Sequence, residues 1–281
     1  MSRNNSKSKK NKGDKQVKKV KAGTYTFARG KICFIGKGIA VGSEQAGDRP
    51  AIIVSSDEQN RSSREVEVVF LTTKKKNLMP THVPVDSAPD PSIALCEQIQ
   101  TVDKWRIKEY LGTATWEEME KIDQALAISL GLPGAKNGQL SDGVKPGEFR
   151  RGQVHHIIDG STGTKKPVVI VSNNVGNLFS TIVEVVPLSR LEDKDLPSEA
   201  AVSLSGKDYT ALCGKIQTMD KERLIEYIGT MSGKEMEEIS QAMAVGLGLA
   251  AEKRSSAPAG KLVQTGSRLA GIPEKECKMP A

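Results

Sequence analysis

The sequence predicts a mainly β fold with helices closing each half, α+β in class, written as two small domains in tandem. Three observations carry that reading. Residues 49–132 align with 166–249 at a constant offset of 117, with 36 identities in 84 positions and no gap. Short β-type runs punctuated by Gly, Pro and Asn fill the first two-thirds of each copy. The last third of each copy switches to helical periodicity. A chain of 281 residues suits two domains of ordinary size, and two units form a duplicated domain rather than a solenoid.

In the first copy the strand runs are Ile32–Ile35, Ala51–Ser55, Val66–Leu71, His82–Val85 and Ile93–Ile99. The second repeats them at Val154–Ile158, Val168–Ser172, Ile182–Leu188, Ala201–Leu204 and Ala211–Ile216. Pro187 replaces Phe70, which predicts a sheet edge there because proline cannot donate to a ladder. Short helical segments are expected at Lys104–Tyr110 and Lys221–Tyr227, ending at Gly112 and Gly229. Thr115 with Glu118, and Ser232 with Glu235, have the spacing of capping boxes. Behind them Met119, Ile122, Leu126 and Leu130 line one helical face, as do Met236, Ile239, Met243 and Leu247, and each stripe reads as core. Small closed barrels, each with a C-terminal helix, fit this order. Arg29-Gly30 matches Arg151-Gly152 at an offset of 122, so the first loop of copy one is five residues longer.

The divisions follow: a basic tail at 1–21, a domain at 22–132, a linker at 133–147, a second domain at 148–249 and a tail at 250–281. Fifteen Gly- and Pro-rich linker residues span roughly 20 Å, so the copies can touch and are expected to pack as a covalent pseudo-dimer. Residues 1–21, rich in Lys, Ser and Asn with few apolar side chains, are expected to be disordered, and residues 250–281, with Ser, Ala, Gly and Pro, to form a flexible tail.

Hydrophobic residues at 37% and charged residues at 27% exclude collagen and wholesale disorder. Aromatics at 4% argue against base-stacking platforms. The net charge of +7 belongs to the ends: residues 1–21 carry nine Lys or Arg against Asp14, whereas residues 22–249 carry a net −4. Nucleic-acid binding by the folded part must therefore rest on placed residues. The N-terminal tail reads equally as a solubilising segment or an RNA- or DNA-binding arm. No apolar run suits a membrane span, no secretory signal is expected, and Cys33, Cys96, Cys213 and Cys277 have neither zinc nor disulfide spacing. A cytoplasmic protein without a membrane, metal or cofactor is the expectation.

The chemistry-bearing stretch is Val41-Gly42-Ser43-Glu44-Gln45-Ala46-Gly47-Asp48-Arg49-Pro50. Asn60-Arg61, Leu71-Thr72, Pro80-Thr81-His82-Val83 and Glu97-Gln98-Ile99-Gln100-Thr101-Val102-Asp103-Lys104 follow in order. Together with the ending Ser129-Leu130-Gly131-Leu132, this set resembles the PemK/MazF family of toxins from type II toxin–antitoxin modules. The resemblance spans nearly all of copy one and, more weakly, copy two. It implies an SH3-like β-barrel with a C-terminal helix, dimeric packing, and metal-independent cleavage of single-stranded mRNA at short sequences. It also implies restraint by an antitoxin protein, with operator DNA as a further partner of the toxin–antitoxin pair.

The resemblance maps the catalytic roles onto Arg49 and Thr72. A fixed guanidinium stabilises the phosphoryl transition state reached when the 2′-hydroxyl attacks the adjacent phosphorus, and a threonine hydroxyl donates to the same phosphate. Arginine is a poor base, which leaves the base open, with Glu44 or water as candidates. Glu44 and Gln45 order their loop or read a base. Asn60, His82, Glu97 and Gln98 are candidates for the RNA groove, His82 with a structural role as its alternative. Copy two places Lys166 at the position of Arg49 and Ser189 at that of Thr72, Gly214-Lys215 for Glu97-Gln98 and Glu199 for His82. Its site is degenerate, and copy one is expected to cleave while copy two supports it. Lys31 and Gln100 depart from the family pattern in copy one. Two other functions fit the same barrel: a noncatalytic binder of antitoxin or DNA, and a topoisomerase poison.

Overall fold

The computed structural model describes residues 27–36, 48–135, 148–160, 162–190 and 196–249. The tails at 1–21 and 250–281, the loop with Glu44 and Gln45, most of the linker and Cys277 lie outside the described residues.

Copy one runs β1 (Lys31–Ile35), β2 (Arg49–Ile53), α1 (Asp57–Ser62), β3 (Glu65–Thr72), β4 (His82–Val85), β5 (Ser92–Asp103), β6 (Ile107–Thr113) and α2 (Trp116–Ser129). Copy two follows with β7 (Gln153–Ile158), β8 (Lys165–Ile170), α3 (Asn174–Phe179), β9 (Ile182–Ser189), β10 (Glu199–Leu204), β11 (Lys207–Leu212), β12 (Gln217–Asp220), β13 (Glu226–Thr230) and α4 (Gly233–Gly246). The strands form one continuous antiparallel path, β6-β1-β2-β3-β5-β12-β9-β8-β7-β13. β4 is added on β5, β11 on β9, and β10 on β11.

Both long helices start at the capping boxes read from sequence. Thr115 and Ser232 accept from the backbone N–H groups of Glu118 and Glu235, whose carboxylates accept the return bonds. The stripes face inward: Ile122, Leu126, Leu130, Ile239, Met243 and Leu247 are fully buried. They join one core cluster that runs through both copies.

Three expectations are corrected. The segments at Lys104–Tyr110 and Lys221–Tyr227 are not helices. Only Lys104–Arg106 and Lys221–Arg223 make a 3-10 turn, and the chain then extends as β6 and β13 to pair with β1 and β7. Tertiary pairing overrides local helix preference there. Ala211–Ile216 is not one strand: β11 ends at Leu212, and a turn at Cys213-Gly214, closed by the Lys215 N–H donating to the Leu212 carbonyl at 2.9 Å, separates it from β12. Pro187 is not at a sheet edge. β8 flanks it at Val168, and on its other side β9 passes from β12, paired up to Val185, to β11, paired from Leu188. The absent N–H falls in that gap. Phe70 occupies the same gap in copy one, where the β3–β5 register breaks between Val69 and Leu71.

The copies meet through reciprocal contacts. β5 pairs β12 at Gln100↔Gln217, two equivalent residues. Thr101 Oγ1 donates to the Ile216 carbonyl at 2.8 Å, and its equivalent Thr218 Oγ1 donates to the Ile99 carbonyl at 2.7 Å. The Ser56 N–H reaches the Gly246 carbonyl at 2.7 Å, and the Asn173 N–H reaches that of Ser129 at 2.8 Å. Arg29 Nε donates to the Leu247 carbonyl at 2.9 Å and Arg151 Nε to that of Leu130 at 3.1 Å, each satisfying an orphan carbonyl at the end of the other copy's long helix.

Two carboxyls lie buried in this junction. Glu67 Oε1 accepts from the Ile216 N–H at 3.2 Å, and Glu184 Oε2 accepts from Ser129 Oγ at 2.8 Å. Burial pushes the pKa of each up to about 8, so both are predominantly neutral at pH 7.

Candidate functional site

Strand alternation sorts the side chains of β2 and β3 onto two faces. Ile52, Val69 and Leu71 point into the main cluster. Ala51, Ile53, Val66, Val68 and Phe70 point the other way, into a small second core with Cys33, Ile35 and Val102. The β2–β3 register pairs Ala51 with Phe70. Continued by two residues, it sets Arg49 opposite Thr72 on the face of the small core, the spacing at which directly opposed side chains interact. The Arg49 guanidinium lies over the Phe70 ring, 5.9 Å from its centroid. That aromatic face attracts the cation and limits its rotamers. Thr72 Oγ1 accepts from the Lys74 N–H at 3.2 Å, which leaves the hydroxyl proton to donate outward.

His82 and Glu97 flank this pair. Thr72 opposes Ile93 on β5, and Ile93 opposes Pro84 on β4, so His82 lies one pleat further along the same face. His82 Nε2 is 3.0 Å from Glu97 Oε1, and Nδ1 is 3.0 Å from the Asn77 carbonyl oxygen. Both ring nitrogens face acceptors, which favours the doubly protonated imidazolium, and the hydrogen bond to Glu97 raises the His82 pKa. Gln98 is half-buried in the stretch Leu95–Gln98 of β5, where four residues stand against Phe70 alone.

Asn60 is not brought to this face. It is buried in α1, where its amide nitrogen donates to the Ser55 carbonyl at 3.0 Å and its oxygen accepts from Ser55 Oγ at 2.5 Å. Asn177 repeats both bonds with Ser172. Asn60 therefore ties α1 to β2, and burial takes it away from a ligand. Glu44 and Gln45 lie outside the described residues.

Copy two builds the same frame with different tips. Ile157, Val168, Ile170, Val183, Val185 and Met219 form its small core at positions equivalent to those of copy one. The β8–β9 register, continued past Val168↔Pro187, sets Lys166 opposite Ser189. Pro187 supplies no aromatic face, and the Lys166 ammonium forms an ion pair with Asp159. A cleft of about 620 Å³ opens here, lined by Lys165, Lys166, Ser189, Arg190 and Lys215, with Glu65 of copy one on its wall. Lys215 Nζ and Glu65 Oε2 stand 3.5 Å apart, so both copies contribute to this cleft.

The sequence reading missed Phe70 as the support of Arg49. The replacement of Phe70 by Pro187 was its signal, since it coincides with the replacement of Arg49 by Lys166. Among the described residues, no three His, Cys, Asp or Glu side chains are grouped as a metal site would need. No described helix is long and apolar enough to cross a membrane.

The family described as PemK-like, MazF-like toxin of type II toxin-antitoxin system matches residues 28–130 and again 150–247. Endoribonuclease EndoA of Bacillus subtilis (strain 168) is 38% identical over 109 residues, 37% of this chain and 94% of the relative. Among solved structures, an endoribonuclease from a mycobacterial species, in complex with its cognate antitoxin, is 34% identical, with a TM-score of 0.34. It covers 38% of this chain and 96% of its own. MazF from Deinococcus radiodurans is 21% identical with a TM-score of 0.35, covering 37% of this chain and 96% of its own. Since the family match takes in both copies and most of the chain, the chain belongs to the PemK-like, MazF-like toxins of type II toxin–antitoxin systems and carries their domain twice.

Proposed function

We propose that this chain is an endoribonuclease toxin whose first copy cleaves single-stranded RNA without a metal, while the second copy serves as its structural partner. The observation that supports the reading is the β2–β3 register, which, continued past Ala51↔Phe70, brings Arg49 opposite Thr72 with the Phe70 ring under the guanidinium. The name of the Bacillus relative supports the activity. In this reading each copy is an SH3-like barrel with its long helix, and the reciprocal contacts about Gln100 and Gln217, the kind an isologous interface has, support the pairing of the two as a pseudo-dimer.

In the proposed reaction the 2′-hydroxyl oxygen bonds to the adjacent phosphorus as the bond from phosphorus to the 5′-oxygen breaks. The products are a 2′,3′-cyclic phosphate and a 5′-hydroxyl. Glu44 or water takes the 2′-hydroxyl proton, and the departing 5′-oxygen gains one from solvent. Arg49, steadied by Phe70, meets the negative charge that builds on the phosphoryl oxygens, and Thr72 donates to the same group. His82, fastened to Glu97, fixes the β4–β5 wall beside them. Lys166 cannot substitute for Arg49, because an ammonium paired with Asp159 lacks the planar fork that grips two phosphate oxygens. An antitoxin partner is part of the proposal, supported by the mycobacterial relative solved with its own.

The test is incubation with a mixed RNA pool in EDTA, followed by sequencing of the cut ends. Cleavage at a recurring short sequence, leaving 2′,3′-cyclic phosphate and 5′-hydroxyl ends, is expected. Binding without cuts would instead favour a noncatalytic binder, the reading that the altered second copy supports.

A further inference from the structure

Arg29 and Arg151 hold equivalent places in the two copies and make the same bond to the far helix end. Their charges are treated differently. Arg29 Nη2 is ion-paired with Asp123 on α2. The residue equivalent to Asp123 on α4 is Ser240, and Arg151 Nη2 donates to its neutral hydroxyl at 3.0 Å. Among the described residues no carboxylate pairs with Arg151. Burial alone pulls its pKa down to about 10, so the guanidinium stays charged at neutral pH without an anion to offset the loss of water.

The surroundings of Arg151 are also open. Where α2 begins with Trp116, α4 begins with Gly233, and a Cβ there would meet nothing within 4 Å. A cavity of about 340 Å³ lies here, lined by Arg151, Ser240, Gly233, Met236 and the turn Gly131–Ala135 at the start of the linker. Gly131 is needed for that approach: its φ is +56°, and a Cβ would lie 2.9 Å from Arg151 Nε. Glu237 lines the cavity too but is exposed, so water screens it from the guanidinium.

We infer that this cavity between the copies is a binding site for a small molecule with a carboxylate or phosphate head, which takes the place beside Arg151 that Asp123 fills beside Arg29. The guanidinium fork matches both heads. The rest of the cavity exceeds the size of a bare ion and accommodates a short organic body against Met236 and Leu132. A ligand there grips Arg151 and the linker turn together, and so stabilises the junction of the copies by mass action. The site is independent of the proposed nuclease site, and its test reads binding alone.

The experiment titrates the full chain with inorganic phosphate and, separately, with succinate at fixed ionic strength. Heat and melting temperature are the readouts, with chloride as control. Saturable binding of at least one probe is expected, with a rise in melting temperature. Ser240→Asp restores the carboxylate of the other copy; it is expected to weaken that binding at least tenfold and to raise the melting temperature without ligand. Arg151→Gln removes the charge while keeping an N–H donor for the Leu130 carbonyl, and is expected to abolish saturable binding, so it carries the test if Ser240→Asp does not fold. Phosphate alone would identify an oxoanion head and succinate alone a carboxylate. The Lys-rich residues 1–21 are unchanged in every variant, so the difference isolates the cavity. Absence of saturable binding by either probe, or equal binding by the folded variants, overturns the assignment.

Discussion

The two copies share a scaffold and differ at its tips. Small-core positions, capping boxes, the Asn60 and Asn177 ties and the contacts at the junction recur nearly residue for residue. Arg49, Phe70 and Thr72 become Lys166, Pro187 and Ser189, while Glu97-Gln98 becomes Gly214-Lys215, where the chain leaves the turn between β11 and β12. Each half of the junction supports the other, so a change in either copy disturbs both. The tips are under less mutual demand than the junction, and under the proposed function one intact copy suffices for chemistry.

The sharpest way to test that contrast is to give copy one the side chain of copy two. Arg49→Lys should lower kcat/KM for RNA by on the order of 10²–10³, since one lost transition-state donor has that weight and lysine lacks the bidentate fork. Thr72→Val should cost about 10–100-fold, the range of a hydrogen bond to a charged group, whereas Thr72→Ser should stay within about threefold, because copy two shows that serine fits. Phe70→Leu should cost about threefold to fivefold by removing the aromatic face under Arg49. Initial rates on a fixed RNA substrate measure all four variants.

The junction gives a milder, pH-dependent effect. Glu67 and Glu184 have folded-state pKa values raised to about 8 by burial. Their contribution to stability is therefore full below the ordinary carboxyl pKa near 4.5 and is lost as pH rises from there towards 8. The melting temperature should fall by several degrees over that window, and the fall should be smaller in Glu67→Gln and Glu184→Gln. His82 contributes a fall of the same sign, so the comparison with the Gln variants isolates the junction.

Local features were legible in the sequence. The capping boxes, the helical stripes and the strand His82–Val85 each depend on neighbours a few residues apart. Long-range demands were not. The sequence alone places Asn60 among ligand-binding candidates, because only the fold turns its amide towards Ser55. The edge expected at Pro187 is a gap between two partner strands, which no local pattern announces. Glu67 and Glu184 did leave a trace, a charged residue inside the run Val-Glu-Val-Val of both copies, but their burial depends on the other half of the chain. Arg49 and Thr72 lie 23 positions apart, and only the antiparallel register makes them opposite.

The central claim is tested most directly by cutting a mixed RNA pool in EDTA with Arg49→Ala and Lys166→Ala side by side, each first shown to melt like the parent chain. The account predicts that Arg49→Ala leaves the pool intact, while Lys166→Ala cuts within about twofold of the parent rate, because Lys166 adds no transition-state donor. Undiminished cutting by Arg49→Ala, or its loss in Lys166→Ala, would contradict the division of labour between the copies.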